Sequence, residues 1–261
     1  MSAVDEWAAI APVYDLWSSD MTADVPFYVS EARAAGGTVL EIGVGTGRVS
    51  SAMARAGIDV VGVDNSLAML AIAERRLADE ESSGSVELLV GDMRDLDLGE
   101  RRFSLAILPY RVLAHALTAQ EVLSTLASVR RHLLPGGRMV FNLPVPRAQD
   151  LRDEEGLRRD GRFELEDGTQ AVLWRQTAYA PGSQQIRFDF VVDHLDDSGV
   201  VVKRVHSEMT VRQNSPGELD HALALSGFDL VDRWGWFDRR PYDEESPEMV
   251  WAATRKDSWR R

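Results

Sequence analysis

A carboxylate followed by three closely spaced glycines sets the chemistry of this chain. In VLEIGVGTGRVS (39–50), Glu41 stands two residues before Gly43, with Gly45, Thr46 and Gly47 behind it. Glycine in such a turn lets the backbone approach a bound molecule, because no Cβ stands in the way. An apolar run precedes the turn and an alanine-rich one follows, so it reads as the strand-to-helix turn that holds nucleotide-type cofactors. A dinucleotide site has the spacing G-x-G-x-x-G. Here the spacing is G-x-G-x-G, and Arg48 occupies the third glycine's place. Glu41 would repel a pyrophosphate and attract a cation. Both departures point to a cofactor that carries positive charge. Two further carboxylates, Asp64 in VVGVDNSLAML (60–70) and Asp92 in LLVGDMRDL (88–96), follow at strand ends. His115, in LPYRVLAHALT (108–118), titrates near neutrality when unperturbed and can take a proton from an amine or a hydroxyl.

Positioning these groups requires a strand–helix alternation, and the sequence supplies one. Apolar runs at 39–43, 58–63, 86–90, 103–108 and 138–143 are separated by amphipathic segments at 47–57, 66–78 and around Leu123, Leu126, Val129 and Leu133, the last closing in PGG at 135–137. The pattern predicts a Rossmann-like, doubly wound α/β fold: a mostly parallel sheet of seven strands. After Pro146 the rhythm changes. RFELE, QAVLWRQTAYA, QQIRFDFVVDHL and VVVKRVHSEMTV, separated by DGT, PGS and DDSG, read as an antiparallel β insertion after strand five. A helix then restarts with Ser215 as N-cap, Pro216 at N1, Glu218 completing a capping box and Gly227 closing it. Two strands, FDLVDRWGWF and EMVWAATR, end the pattern. We expect one α/β domain over 1–148 and 212–261, with an N-terminal helical lid over 1–36, and the insertion at 149–211. Val191, Val192, Val200, Val201 and Val202 give the insertion apolar faces that need cover, either over a substrate pocket or in a homodimer.

Composition narrows the partners. A chain of 261 residues with 44% hydrophobic residues can bury the core of one such domain. Its net charge of −13, with Lys203 and Lys256 its only lysines, argues against nucleic acid as a partner. No run is long and apolar enough for a membrane span, and the acidic N-terminus does not read as a secretory signal, so a cytoplasmic location is expected. The absence of cysteine removes disulfides, thiolate metal sites and cysteine nucleophiles, and no metal is expected.

Taken in order, VLEIGVGTGRVS, VVGVDNSLAML, LLVGDMRDL and HLLPGGRMVFNL (132–143) resemble the motifs of the class I S-adenosylmethionine-dependent methyltransferases, over about residues 7 to 255. The resemblance implies S-adenosyl-L-methionine as cofactor and S-adenosyl-L-homocysteine as product. It implies cofactor contacts from Tyr14, Glu41, Gly43, Gly45, Thr46, Gly47, Asp64, Asn65, Met69, Asp92, Met93 and Leu108. Asp64 would take the ribose hydroxyls and Asp92 the adenine amino group, while Met69 and Met93 would flank the ring. Met69 fits core packing on its helix equally well.

The acceptor side is thinner. Pro109–Tyr110 is similar to the N-P-P-Y motif of amide and nucleobase methyltransferases, but Ile107 and Leu108 stand where its polar residue belongs. Tyr14 in the N-terminal helix, paired with His115 after strand four and with an insertion after strand five, resembles the aminosugar N-methyltransferases. That implies His115 and Tyr14 beside the transferred methyl. Trp17, Tyr28, Tyr110, Arg111, Trp236 and Arg239 are the candidates for holding a small-molecule acceptor, methylated on nitrogen or oxygen. Another reading is a catalytically inactive cofactor-binding scaffold or regulatory subunit; the full motif set and His115 at the mouth argue against it. A nicotinamide dehydrogenase is disfavoured by Glu41 and the glycine spacing.

Overall fold

The computed structural model describes residues 5–147 and 153–257. Its strands are β1 (Val39–Ile42), β2 (Val60–Asp64), β3 (Val86–Val90), β4 (Phe103–Leu108), β5 (Leu133–Pro144), β6 (Arg158–Glu164), β7 (Gln170–Ala180), β8 (Gln185–Leu195), β9 (Val201–Arg212), β10 (Phe228–Trp234) and β11 (Glu248–Arg255). Its helices are α1 (Ala11–Trp17), α2 (Asp24–Ala35), α3 (Arg48–Arg55), α4 (Leu67–Asp79), α5 (Ala119–His132) and α6 (Pro216–Leu225).

Seven strands form one sheet in the order β10-β11-β5-β4-β1-β2-β3. Only β11 runs against its neighbours β5 and β10. β1 and β2 are buried at every position, as strands covered by helices on both faces must be. Strand order reverses between β1 and β4, and that switch point is where an open α/β sheet leaves a crevice for ligands.

Local signals explain the starts of α4, α5 and α6. Ser66 caps α4 by accepting from the Met69 amide at 3.1 Å, and Thr118 caps α5 from the Glu121 amide at 3.1 Å. The α5 motif ends earlier than the PGG signal indicates: the helix stops at His132, and the chain joins β4 at Leu133. Gly136 and Gly137 then lie inside an irregular stretch of the β4–β5 pairing. At α6 the capping box is half made. Ser215 accepts from the Glu218 amide at 3.3 Å, but the Glu218 carboxylate turns to Arg212, 2.5 Å away, because a buried guanidinium outbids a main-chain amide.

β6 to β9 form a separate antiparallel sheet. Its inner face divides along the strands. Ala171, Leu173, Phe190 and Val192 pack on Ile10 and Val13, before and within α1. On the same face of β7, two and four residues beyond Leu173, Arg175 and Thr177 look instead into a cavity. The expected N-terminal lid therefore splits. α1 goes with the second sheet, whereas Phe27, Tyr28 and Ala32 of α2 pack on Val39, Leu105, Val140 and Val250 of the main sheet.

Candidate active site

A cavity of about 1120 Å³ lies between the switch point, α1 and the second sheet. Pockets for one small ligand run about 300–1,000 Å³, so this one has room for a cofactor beside a second molecule.

The end over β1 and β2 is built from main chain. Gly43 and Gly45 turn through φ of +69° and +55°. A Cβ on Gly43 would meet the Val112 side chain at 2.3 Å, so only glycine fits there. The Gly45 amide donates to Asp64 Oδ2 at 2.8 Å and the Ser66 amide to Oδ1 at 2.9 Å. The carboxylate is thus held by main-chain N–H groups and keeps acceptor capacity on its open side, an arrangement suited to two vicinal hydroxyls. Burial pushes the Asp64 carboxyl up, against those amides. Glu41 is buried and accepts from the Ser50 hydroxyl. Its pKa is pushed up to about 8, chiefly by burial, so a cation beside it favours its ionised form. Asn65, Met69 and Met93 complete the lining here. These residues fit S-adenosylmethionine: a carboxylate for its positive end, acceptors for its ribose and thioether walls for its adenine.

The N-terminal segment is tied to this end by groups that no local sequence signal marks. The Thr46 hydroxyl donates to Asp15 Oδ1 at 2.6 Å, and Arg76 bridges Asp15 to the Thr46 carbonyl. Asp5 Oδ2 accepts from the Ser66 hydroxyl at 2.9 Å and the Ala68 amide at 3.1 Å.

Three expected cofactor contacts are placed differently. Gly47 is the N-cap of α3 at φ +77°, facing Ala73 rather than the cavity. Leu108 is fully buried at the end of β4, behind Pro109 on the lining. Asp92 borders the cavity, but its carboxylate is clamped by Arg94 through Nε at 2.9 Å and Nη2 at 2.6 Å. That clamp lowers the Asp92 pKa and occupies the oxygens assigned to the adenine amino group.

At the other end, α1 meets the turn after β4. Tyr14, Trp17, Tyr110, Arg111 and His115 all border the cavity. Trp7, which the sequence reading missed, joins them: its ring centroid lies 5.6 Å from Tyr14 and 5.3 Å from His115. Burial raises the Tyr14 phenol well above its ordinary range. His115 lies in a short 3-10 turn, Val112–His115, and no described residue hydrogen-bonds its ring. Desolvation lowers its pKa to about 4, so the imidazole is uncharged at neutral pH instead of poised to titrate there.

The turn carrying these groups is strained, since Tyr110 and Arg111 both have positive φ, 52° and 68°. Arg111 is not a free anchor. Its Nε donates to Glu248 Oε1 at 2.9 Å, Asn142 Nδ2 donates to Glu248 Oε2 at 2.9 Å, and Tyr28 donates to Asn142 Oδ1 at 2.9 Å. Tyr28 is consequently a fully buried strut with no surface for a substrate. Trp236 and Arg239 also lie off the cavity. Trp236 packs on Phe237, and Arg239 pairs with Glu31 at 2.6 Å beneath the Phe27 and Trp234 rings. The aromatic cluster after β10 cements α2 to the sheet, which sequence spacing does not distinguish from a pocket wall.

The chain is similar to known proteins along most of its length. A family model described as a methyltransferase domain matches residues 39–137. The chain is 30% identical over 258 residues to the cypemycin N-terminal methyltransferase of a Streptomyces species, covering 98% of each chain. It is 31% identical over 162 residues to the dTDP-3-amino-3,4,6-trideoxy-alpha-D-glucopyranose N,N-dimethyltransferase of Streptomyces venezuelae, covering 58% of this chain and 65% of that one. Among solved structures, the CcbJ methyltransferase of Streptomyces caelestis superposes with a TM-score of 0.79 at 30% identity, over 97% of this chain and 98% of that one.

Proposed function

Because the chain belongs to the S-adenosylmethionine-dependent methyltransferases, we propose that it methylates the nitrogen of an amine-bearing natural-product intermediate, a peptide amino terminus or an amino sugar. The observation that carries the choice of nitrogen is His115, an uncharged imidazole on the cavity lining with no described hydrogen-bond partner. A hydroxyl needs a base that takes its proton as the bond forms, and an imidazole with a pKa of about 4 holds a proton poorly. An amine needs only to arrive as its free base, and entry into a desolvated cavity disfavours its ammonium form. His115 then accepts one N–H of the acceptor and turns the nitrogen lone pair toward the methyl group.

The cofactor supplies an electrophilic methyl group on a sulfonium. Asp64 and the glycine turn hold it. Trp7, Tyr14 and Tyr110 line the cavity there and would exclude water from the reacting atoms, the Tyr110 ring itself lying against the Arg48 and Arg111 guanidinium groups. The insertion, read as 149–211, serves in this account as the substrate cover, and 1–148 with 212–261 as the cofactor-binding domain. We also read the enzyme as cytoplasmic, without membrane or nucleic-acid partners. The exposed Val200, Val201 and Val202 are the candidate contact of a homodimer, for which light scattering should return twice the chain mass.

A test supplies S-adenosylmethionine with matched panels of primary amines, alcohols and phenols, and follows S-adenosylhomocysteine and methylated product by mass spectrometry. Methylation confined to amines is expected. Transfer to hydroxyls with no transfer to amines would overturn the reading.

A further inference from the structure

Within the roof of the cavity, one side of β7 carries donors that no described residue takes in a hydrogen bond. Arg175 and Thr177, two residues apart, share a face and line the cavity. The Arg175 guanidinium carbon lies 5.6 Å from the centroid of the Phe188 ring on β8. Its Nε is 3.1 Å from Asp160 Oδ2, an ion contact without the alignment of a hydrogen bond. Asp160 is itself fixed, since Trp17 Nε1 donates to the same oxygen at 3.1 Å. The inner edge of the guanidinium is therefore braced on one side by a carboxylate and on its face by a ring. No described residue accepts a hydrogen bond from either terminal amino group, or from the Thr177 hydroxyl.

We propose that Arg175 and Thr177 form an oxyanion subsite that binds a carboxylate or phosphate group of the methyl acceptor. The two free amino groups of an arginine fork match two oxygens of one oxyanion, and bracing removes part of the entropy lost on binding. None of the neighbouring acids accepts a hydrogen bond from the fork. Asp160 is engaged as described, and Glu154 pairs with Arg158 through Oε1 at 3.0 Å while its buried Oε2 has no described hydrogen-bond partner. Asp153 accepts from the Tyr179 amide at 2.8 Å, and Glu155 is exposed. The inference rests on the amine reading above for the other end of the acceptor: an amine beside His115 and an oxyanion beneath β7, hence a zwitterionic or amino-phosphorylated molecule.

The experiment titrates succinate and, separately, inorganic pyrophosphate into the protein saturated with S-adenosylhomocysteine, by calorimetry. Wild type, Arg175→Gln, Arg175→Lys and Thr177→Val are compared. Wild type is expected to bind at least one anion, Arg175→Gln about tenfold or more weakly, and Thr177→Val a few-fold more weakly. Arg175→Lys should retain part of the affinity, having the charge without the fork. S-adenosylhomocysteine affinity, measured on each variant, should not move. Binding of succinate alone identifies a carboxylate source, and of pyrophosphate alone a phosphate source. The subsite is overturned if wild type binds neither anion, or if Arg175→Gln binds them as wild type does. Arginine-dependent anion binding in an enzyme that methylates hydroxyls but not amines would leave the subsite standing and remove the amine reading. Amine methylation indifferent to Arg175→Gln and to an oxyanion on the acceptor would do the reverse.

Discussion

The floor of the cavity presents main-chain amides and carboxylates at the ends of β1 and β2, whereas its roof and far wall present long side chains from α1, the β4 turn and the second sheet. On the floor, Asp64 is fixed by Gly45, 19 residues away, and by Ser66, two residues away. At the far end, Trp17 reaches Asp160 across 143 residues and Arg111 reaches Glu248 across 137. A floor made of glycine turns has little freedom to change and suits a constant ligand. A wall of paired side chains can be rebuilt one residue at a time, which suits an acceptor that differs between enzymes of one fold. Cofactor affinity and turnover should accordingly respond to different residues.

The largest effect is expected on the floor. Asp64→Ala removes two charge-assisted acceptors, each worth about 1.5–3 kcal/mol, so cofactor affinity should fall on the order of 100-fold or more by calorimetry. Affinity within about threefold of wild type would remove Asp64 from the ribose site. His115→Ala should instead leave cofactor affinity alone and lower turnover by roughly tenfold, the loss of one orienting hydrogen bond. Turnover that survives this change would make His115 a packing residue.

Glu41 gives a pH test of the floor. Its folded pKa of about 8 lies above the ordinary 4.5, so between these values the native state keeps a proton that the unfolded chain has lost. Its contribution to stability is therefore fullest below pH 4.5 and declines as pH rises to about 8. A bound cation pulls that proton off. Cofactor affinity should rise with pH from about 6 to 8, by at most about tenfold per unit, with proton release visible as a dependence of binding heat on buffer ionisation enthalpy. Glu41→Gln should abolish the dependence.

The smallest effect belongs to the tie between the two regions. Asp15→Ala breaks the bridge to Thr46 and Arg76, but both ion-pair partners are partly exposed, 32% and 25%. Pairs of that kind are worth up to about 1 kcal/mol, so stopped-flow release of S-adenosylhomocysteine should quicken by no more than about fivefold. A much larger change would mean that the N-terminal segment gates the cofactor.

The alternation of strands and helices, the antiparallel insertion and the G-x-G-x-G turn were legible along the chain because each rests on neighbours within one strand–turn–helix unit. Glu41 ahead of the glycines named a cationic cofactor for the same reason: its meaning depends on residues two to seven positions away. Tertiary structure alone decided the rest. It sent Tyr28, Trp236 and Arg239 into packing and ion pairs, clamped Asp92 under Arg94, and brought Trp7 and Arg175 to the cavity. An aromatic or an arginine reads alike on a pocket wall and in a buried strut. Which it becomes depends on partners more than a hundred residues away, such as Asn142 for Tyr28, 114 residues on, or Glu31 for Arg239, 208 residues back.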